Sequence, residues 1–373
     1  MALPTNKIFL RSPYWISKSR SNLDYILVDL YVWTGDLTTD KPSSPSIELR
    51  STAFDGVSSI DISEFARDLV EVVFSGTQES NAVWVEYQIN WVDRDGTSGT
   101  DSAVQLTGLD GFSYFEEGIN FQYPFNVLIG QDRIRTLEDT TIQVPVLQDL
   151  LTGYELQTKL YGIGAGYSSF RTVTGLTPTE DTDSVVEYVS SSFSGTYADR
   201  IKFNFSSGDP EYVYIDYQEC NRYGVQELFF VNRYGAIQEV NTFGRFDISL
   251  STEEEKYKRN LLVGGNYNST RHQHSTLMKN GKIMMTLNTG WYLEEENAIF
   301  VEMMLSEQIW IRVDRETLGS GWISRGISAL TNTFLIPVNI ISNEMQIKTR
   351  LNDKMINYTF EFEAAADRIN TVR

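Results

Sequence analysis

Alternation of apolar and polar residues with period two runs through all three thirds of the chain, and helical stripes occur in only two places. Residues 7–11 and 24–33 are apolar-aromatic runs that predict strands, separated by the polar stretch 17–22. Residues 40–46, Asp-Lys-Pro-Ser-Ser-Pro-Ser, predict a loop, because two prolines among serines disfavour a regular ladder. A helix is predicted over 62–73. Asp61 can cap it, Glu64 completes a capping-box pattern, and Ile62, Phe65, Leu69 and Val72 form one apolar stripe. Ala82–Asp93 then alternates, with Val83, Val85, Tyr87, Ile89 and Trp91 on one face against Glu86, Gln88 and Asn90, before an Asp95-Gly96 turn. Strands with one covering helix describe a sandwich-like domain over residues 1–135.

A second β domain is predicted over 136–219. It starts at Ile142-Gln-Val-Pro-Val-Leu147 and continues through 154–166, where three glycines interrupt the strand pattern. Residues 172–183 are polar and acidic and predict a long exposed loop. Ile201, Phe203 and Phe205 alternate with Lys202 and Asn204, and 212–217 is another aromatic strand, with the boundary drawn near Glu219. In the third domain, 220–373, residues 228–231 and 236–240 flank Asn232-Arg-Tyr-Gly235, a hairpin turn with glycine at the positive-φ position. A second helix is predicted over 252–262, opened by Ser251 and carrying Glu254–Lys258 and Glu255–Arg259 as i,i+4 ion pairs. The closing strand sets Ile356, Tyr358, Phe360 and Phe362 against Asn357, Thr359, Glu361 and Glu363. The fold class is therefore mainly β: two or three β-sandwich-like domains with a few short helices.

Charge narrows the possible partners. The formal net charge of −19 comes from 31 basic against 50 acidic residues, and the densest basic stretch, 256–259, follows three glutamates. That argues against direct or sequence-specific nucleic-acid binding, which draws its affinity from phosphate neutralisation. An acidic surface would keep a monomer soluble and repel DNA passing through a pore. Residues 1–10 hold no apolar core of signal-peptide length, and no window approaches a membrane span, so no membrane partner is expected. Cys220 is the only cysteine, which rules out an internal disulfide and suits folding in a reducing cytoplasm.

The candidate chemistry is sparse. The only histidines, His272 and His274, would share a face on a strand and could hold a transition metal, but an exposed polar loop is the plainer reading. Asp93-Arg-Asp-Gly-Thr-Ser-Gly-Thr-Asp101 spaces hard oxygen ligands like a calcium loop, without the bidentate acid that closes one. Glu294-Glu-Glu296 could supply half of a glycosidase pair, yet reads better as a solvated loop or helix start. Gly162-Ile-Gly-Ala-Gly166 lacks the dinucleotide spacing and a helix behind it. Cys220 reads as a small buried hydrophobe rather than a nucleophile. No catalytic, cofactor-binding or metal residue is assigned, and no enzyme activity or cofactor is expected. The tryptophans Trp15, Trp33, Trp84, Trp91, Trp291, Trp310 and Trp322 sit mostly in apolar alternation and are expected in cores or interfaces.

Two segments carry a family resemblance. Residues 220–236, Cys-Asn-Arg-Tyr-Gly-Val-Gln-Glu-Leu-Phe-Phe-Val-Asn-Arg-Tyr-Gly-Ala, and 348–362, Lys-Thr-Arg-Leu-Asn-Asp-Lys-Met-Ile-Asn-Tyr-Thr-Phe-Glu-Phe, resemble segments of virion neck and tail proteins of tailed phages. The nearest group is the ring or tail proteins of crAss-like phages of Bacteroidetes. The resemblance implies a β-dominated subunit, made in the host cytoplasm and built into the virion. It implies a homo-oligomeric ring around the DNA channel in the neck or tail, beside other virion proteins, with no catalytic residues. A rival reading is a carbohydrate- or receptor-binding tail-fibre module, favoured if several tryptophans are coplanar and exposed. A depolymerase or peptidoglycan hydrolase would need convergent acids or a metal cluster in one cleft.

Overall fold

The computed structural model describes residues 6–70, 74–76, 82–137, 141–148, 151–160, 166–176, 181–182, 185–190, 192–193, 196–206, 208–218, 223–267, 269–314, 333–347 and 354–367. The fold is mainly β, with many strands in several sheets and, among the described residues, two short α-helices. The chain forms two compact units. The first comprises Met1–Cys220, Phe230–Val240 and Ala298–Glu307, and the second Asn221–Phe229, Asn241–Asn297 and Gln308–Arg373.

The first unit opens with strands β1 (Lys7–Phe9), β2 (Trp15–Ser19), β3 (Leu23–Trp33), β4 (Ile47–Thr52) and β5 (Val57–Asp61), helix α1 (Ser63–Arg67), and strands β6 (Ala82–Asp93), β7 (Ser98–Thr100) and β8 (Val104–Leu109). Its first sheet has the order β1-β8-β6-β3-β4, with β7 on β6, and β2 pairs separately with β5. The polar stretch 17–22 thus begins inside a strand rather than between strands. The alternation in β6 has its expected meaning: Val83, Val85 and Ile89 are buried with Ile26, Val28 and Leu30 of β3 and with Ile62 and Ala66 around α1. The opposite face is buried too, through Ala82, Trp84 and Trp33. Helix α1 is shorter than predicted within the described residues, and 71–73 of the predicted stretch lie outside them. The Asp61 carboxylate accepts the Ser63 N–H at 3.0 Å and its hydroxyl at 2.7 Å, but i+3 bonds from Leu69 and Val70 wind the helix down, and Leu69 is exposed.

The rest of this unit holds β9 (Arg133–Leu137), β10 (Gln143–Leu147), β11 (Leu151–Lys159), β12 (Tyr167–Thr174), β13 (Val186–Ser190), β14 (Ser192–Phe193), β15 (Thr196–Tyr197), β16 (Arg200–Phe205) and β17 (Glu211–Gln218). A five-stranded sheet, β12-β11-β16-β17-β9, shares a core with the β10–β13 pair: Val144, Val146 and Val189 meet Leu156, Ile201, Phe203 and Val213. The predicted loop 172–183 begins inside β12. A domain boundary at 135/136 passes through β9, which pairs in parallel with β17.

A seven-stranded sheet contains β18 (Gln226–Val231), β19 (Ile237–Thr242), β20 (Phe246–Lys258), β23 (His274–Asn288), β25 (Ile309–Asp314), β26 (Thr333–Ile340) and β28 (Thr359–Ala364), in the order β19-β18-β25-β26-β28-β23-β20, and belongs to the second unit except for residues 230–231 and 237–240. Two-residue strands β21 (Leu262–Val263) and β22 (Asn266–Tyr267) pair at the tip of the β20–β23 ribbon, and β24 (Tyr292–Leu293) pairs with β27 (Met355–Ile356). Helix α2 spans Asn297–Leu305 and from Ala298 onward belongs to the first unit. The closing strand follows its prediction: Ile356, Tyr358, Phe360 and Phe362 are buried, while Thr359 and Glu361 are exposed.

The predicted helix over 252–262 is instead strand. β20 pairs antiparallel with β23 from Phe246↔Leu287 to Lys258↔His274. The i,i+4 partners of a helix are therefore far apart in space. Glu254 meets Lys256 on the same strand face and Lys279 across the ribbon. Strand pairing anchored on the buried Met285 and Leu287 of β23 outweighs local helix propensity, which is worth only tenths of a kcal/mol per residue (~0.5 in the mean).

Candidate functional site

A buried polar cluster in the first unit surrounds the turn that joins β18 to β19. Asn232 is wholly buried and closes this turn on itself: its Oδ1 accepts the N–H groups of Tyr234 and Ala236, and its Nδ2 donates to the Leu128 carbonyl at 2.7 Å. Gly235 takes φ +78°, as the sequence predicts, and a Cβ there would stand 2.7 Å from the Asp110 backbone nitrogen. Arg233 donates to both carboxylate oxygens of Glu117 and lies 4.3 Å from the Tyr114 ring, while Tyr234 stacks on Tyr123 with centroids 4.2 Å apart. Beside them Glu302 of α2 is buried, and burial pushes its carboxyl up to about 7 against the pull of Arg233. Asn232 and Glu117 are satisfied within the cluster, while Arg233 Nε and Glu302 Oε2 are buried without a hydrogen-bond partner among the described residues. The cluster thus shapes a turn and exposes no reactive atom to solvent.

The residues singled out in the sequence are dispersed and mostly engaged in structural contacts. His272 and His274 are exposed at the outer end of the β20–β23 ribbon. Among the described residues no group of three potential metal ligands comes together. Asp93 and Asp101 are ion-paired, with Arg20 at 2.9 Å and Lys18 at 2.7 Å, and Asp95 accepts the Thr97 N–H of the turn. Glu294–Glu296 forms a single 3-10 turn in which Glu296 is buried and accepts the Leu293 N–H. Cys220 and Gly162 to Ala165 lie outside the described residues, as does Trp322, while Gly166 is exposed. Trp33, Trp84 and Trp310 are buried, Trp91 is half-buried under the Arg20 guanidinium, and Trp15 and Trp291 are exposed.

What the linear reading missed is a basic surface. From Leu250 to Lys258 every residue of β20 is exposed, as are Thr276–Lys279 on the paired strand. The ribbon sets Lys258 opposite His274 and bonds the Arg259 N–H to the Gln273 carbonyl, while Glu254 pairs with both Lys256 and Lys279. Residues 256–282 hold six lysines and arginines, both histidines and no acid. Tyr257, Leu262, Leu277 and Met278 are exposed on the same ribbon. At its edge β20 has β23 as its only neighbour among the described residues. The charge split between the units reinforces this: the first carries 15 basic and 35 acidic residues, the second 16 and 15. That asymmetry was visible in the sequence, but the spatial cluster needed the strand pairing.

A second concave feature lies in the first unit, a cleft of about 340 Å³ whose lining includes Tyr123, Phe125, Tyr212, Asp132 and Glu211. Glu211 is committed there, accepting the N–H groups of Asn126 and Val127 at 2.9 Å. No protein-family model matches the chain, and no curated protein matches it.

Proposed function

We propose that this chain is a non-enzymatic structural subunit that assembles with copies of itself, as a ring in the neck or tail of a tailed-phage virion, around the DNA channel. The observation that carries the assembly part is the β20–β23 ribbon, exposed on both faces and open along one edge. A two-stranded ribbon is barely stable alone in water, so one this long gains from cover by another chain. The virion setting rests on the resemblance of residues 220–236 and 348–362, and the acidic character suits a channel that DNA must traverse without sticking. Mass measurement of the purified full chain across a concentration series, with electron microscopy of what forms, tests it. Closed rings are the expected result, and a chain that stays monomeric at every concentration would sink the reading.

One observation favours a second reading, a glycan- or receptor-binding module. The cleft at Tyr123, Phe125 and Tyr212 offers aromatic faces beside carboxylates, a surface suited to sugar rings and hydroxyls. Binding to a panel of surface polysaccharides that is lost in Tyr212→Ala, with no self-assembly, would favour it over the ring.

A further inference from the structure

We propose that the outer part of the β20–β23 ribbon of one copy docks on the acidic first unit of a second copy, making a head-to-tail contact. This rests on the reading that the chain assembles with itself, and adds which surfaces meet. The donor surface is the outer end of the ribbon, residues 256–276, where Lys256, Lys258, Arg259 and Arg271 occur with no acid among them. Farther in, Glu254 pairs with Lys256 and Lys279, and Glu363 with Lys282. The acceptor carries 35 acids against 15 basic residues, and such opposed fields steer encounter and fix which surfaces pair. Contact of ribbon with ribbon would instead join Lys256, Lys258 and Arg259 to Glu253–Glu255 of the other copy, which are second-unit acids. A patch on one copy meeting a different patch on the next is the kind of contact that generates rings when the rotation closes.

Apolar side chains speak for a protein partner over a nucleic acid. Leu277 is 70% exposed, Leu262 61% and Met278 59%, and they interleave with the cations along an open strand edge. Outside residues 256–282 the chain holds 25 basic and 50 acidic residues, a field that opposes a polyanion.

The test uses the full chain and the variant Lys256→Glu/Lys258→Glu, both exposed positions. Light scattering of wild type should show assembled mass at about 50 mM salt, falling toward monomer at about 500 mM, where screening reaches only a few Å. The variant should need about tenfold more protein to assemble at low salt and should lose most of the salt dependence. If wild type never assembles, both this contact and the ring reading fall. If wild type assembles and the folded variant matches it, the ring stands and this contact is wrong. If the variant does not fold, zero-length carbodiimide coupling on wild type decides. In a mixture of isotope-labelled and unlabelled chains, bonds between copies should join Lys256 or Lys258 to carboxylates of the first unit. Bonds between copies confined to second-unit acids would overturn the proposal. Tight, salt-dependent binding of a short DNA duplex, lost in a variant whose assembly is intact, would do the same and assign the ribbon to nucleic acid.

Discussion

Glu302 and Glu155 show how the same side chain acquires opposite pH behaviour from its surroundings. Burial raises the Glu302 carboxyl to about 7, so the folded chain holds a proton there that the unfolded chain releases above about 4.5. Its contribution to stability therefore declines as pH rises from 4.5 to 7, and the cost is fully present above 7. Glu302→Gln should raise stability at pH 8 by on the order of 2 kcal/mol and change little at pH 4, compared by urea unfolding. Equal effects at both pH values would show that shape, not charge, governs the site. Glu155 is held at about 2, chiefly by the Ser169 hydroxyl and then by Lys202, Gln157 and Asn204. Its stabilisation is present above 4.5 and is lost as pH falls through 2, so Glu155→Gln should cost more at pH 7 than at pH 2. By contrast His272 and His274 are exposed, and replacing both with alanine should shift folding stability by under about 0.5 kcal/mol. Stoichiometric zinc on the purified chain, lost in that variant, would contradict this.

At the scale of elements, the closing strand and the β18–β19 turn were legible because their local rules and their tertiary roles agree. Phe360 is buried, paired with Leu287 and flanked by the Tyr358 and Phe362 rings. Phe360→Ala should cost about 3–5 kcal/mol through lost burial and the cavity left behind, and Glu361→Ala far less. Comparable losses in chemical denaturation would mean that both faces are covered. Gly235→Ala should cost about 1–3 kcal/mol, because it adds a positive-φ penalty to a clash with the Asp110 backbone. A Gly224→Ala control shares the positive φ but has open space around it, so a smaller loss there isolates the clash. The stretch 251–262 misled because Glu254 and Lys256 suit a capped helix and a cross-strand ion-pair ladder alike. Only the partner strand, twenty residues and more away in sequence for most of the ribbon, decides between them.

For the whole molecule, far-ultraviolet circular dichroism should show β-structure as the leading component, and helix as the leading component would contradict the fold. The first unit carries a net −20 and the second +1, so lowering pH toward the isoelectric point near 4.6 should weaken the field on which the proposed contact draws. Because most carboxylates stay ionised down to about pH 5, assembly driven by the basic ribbon should hold between pH 7 and 5 and weaken only below that, followed by light scattering at constant low salt.

Period-two alternation determined the β class, the faces of β6 and β28 and the glycine of the Asn232–Gly235 turn, since each depends on residues adjacent in the chain and on one backbone geometry. The tertiary structure decided what distant residues settle jointly. It placed β9 beside β17, ended α1 after five residues and buried Glu302 behind the β18–β19 turn. It also turned a sequence of mixed charge into a ribbon with one basic end. Helix propensity and strand pairing differ by tenths of a kcal/mol per residue (~0.5), whereas a shared core is worth ~25 cal/mol for each Å² it buries. Where the two disagree, the core prevails.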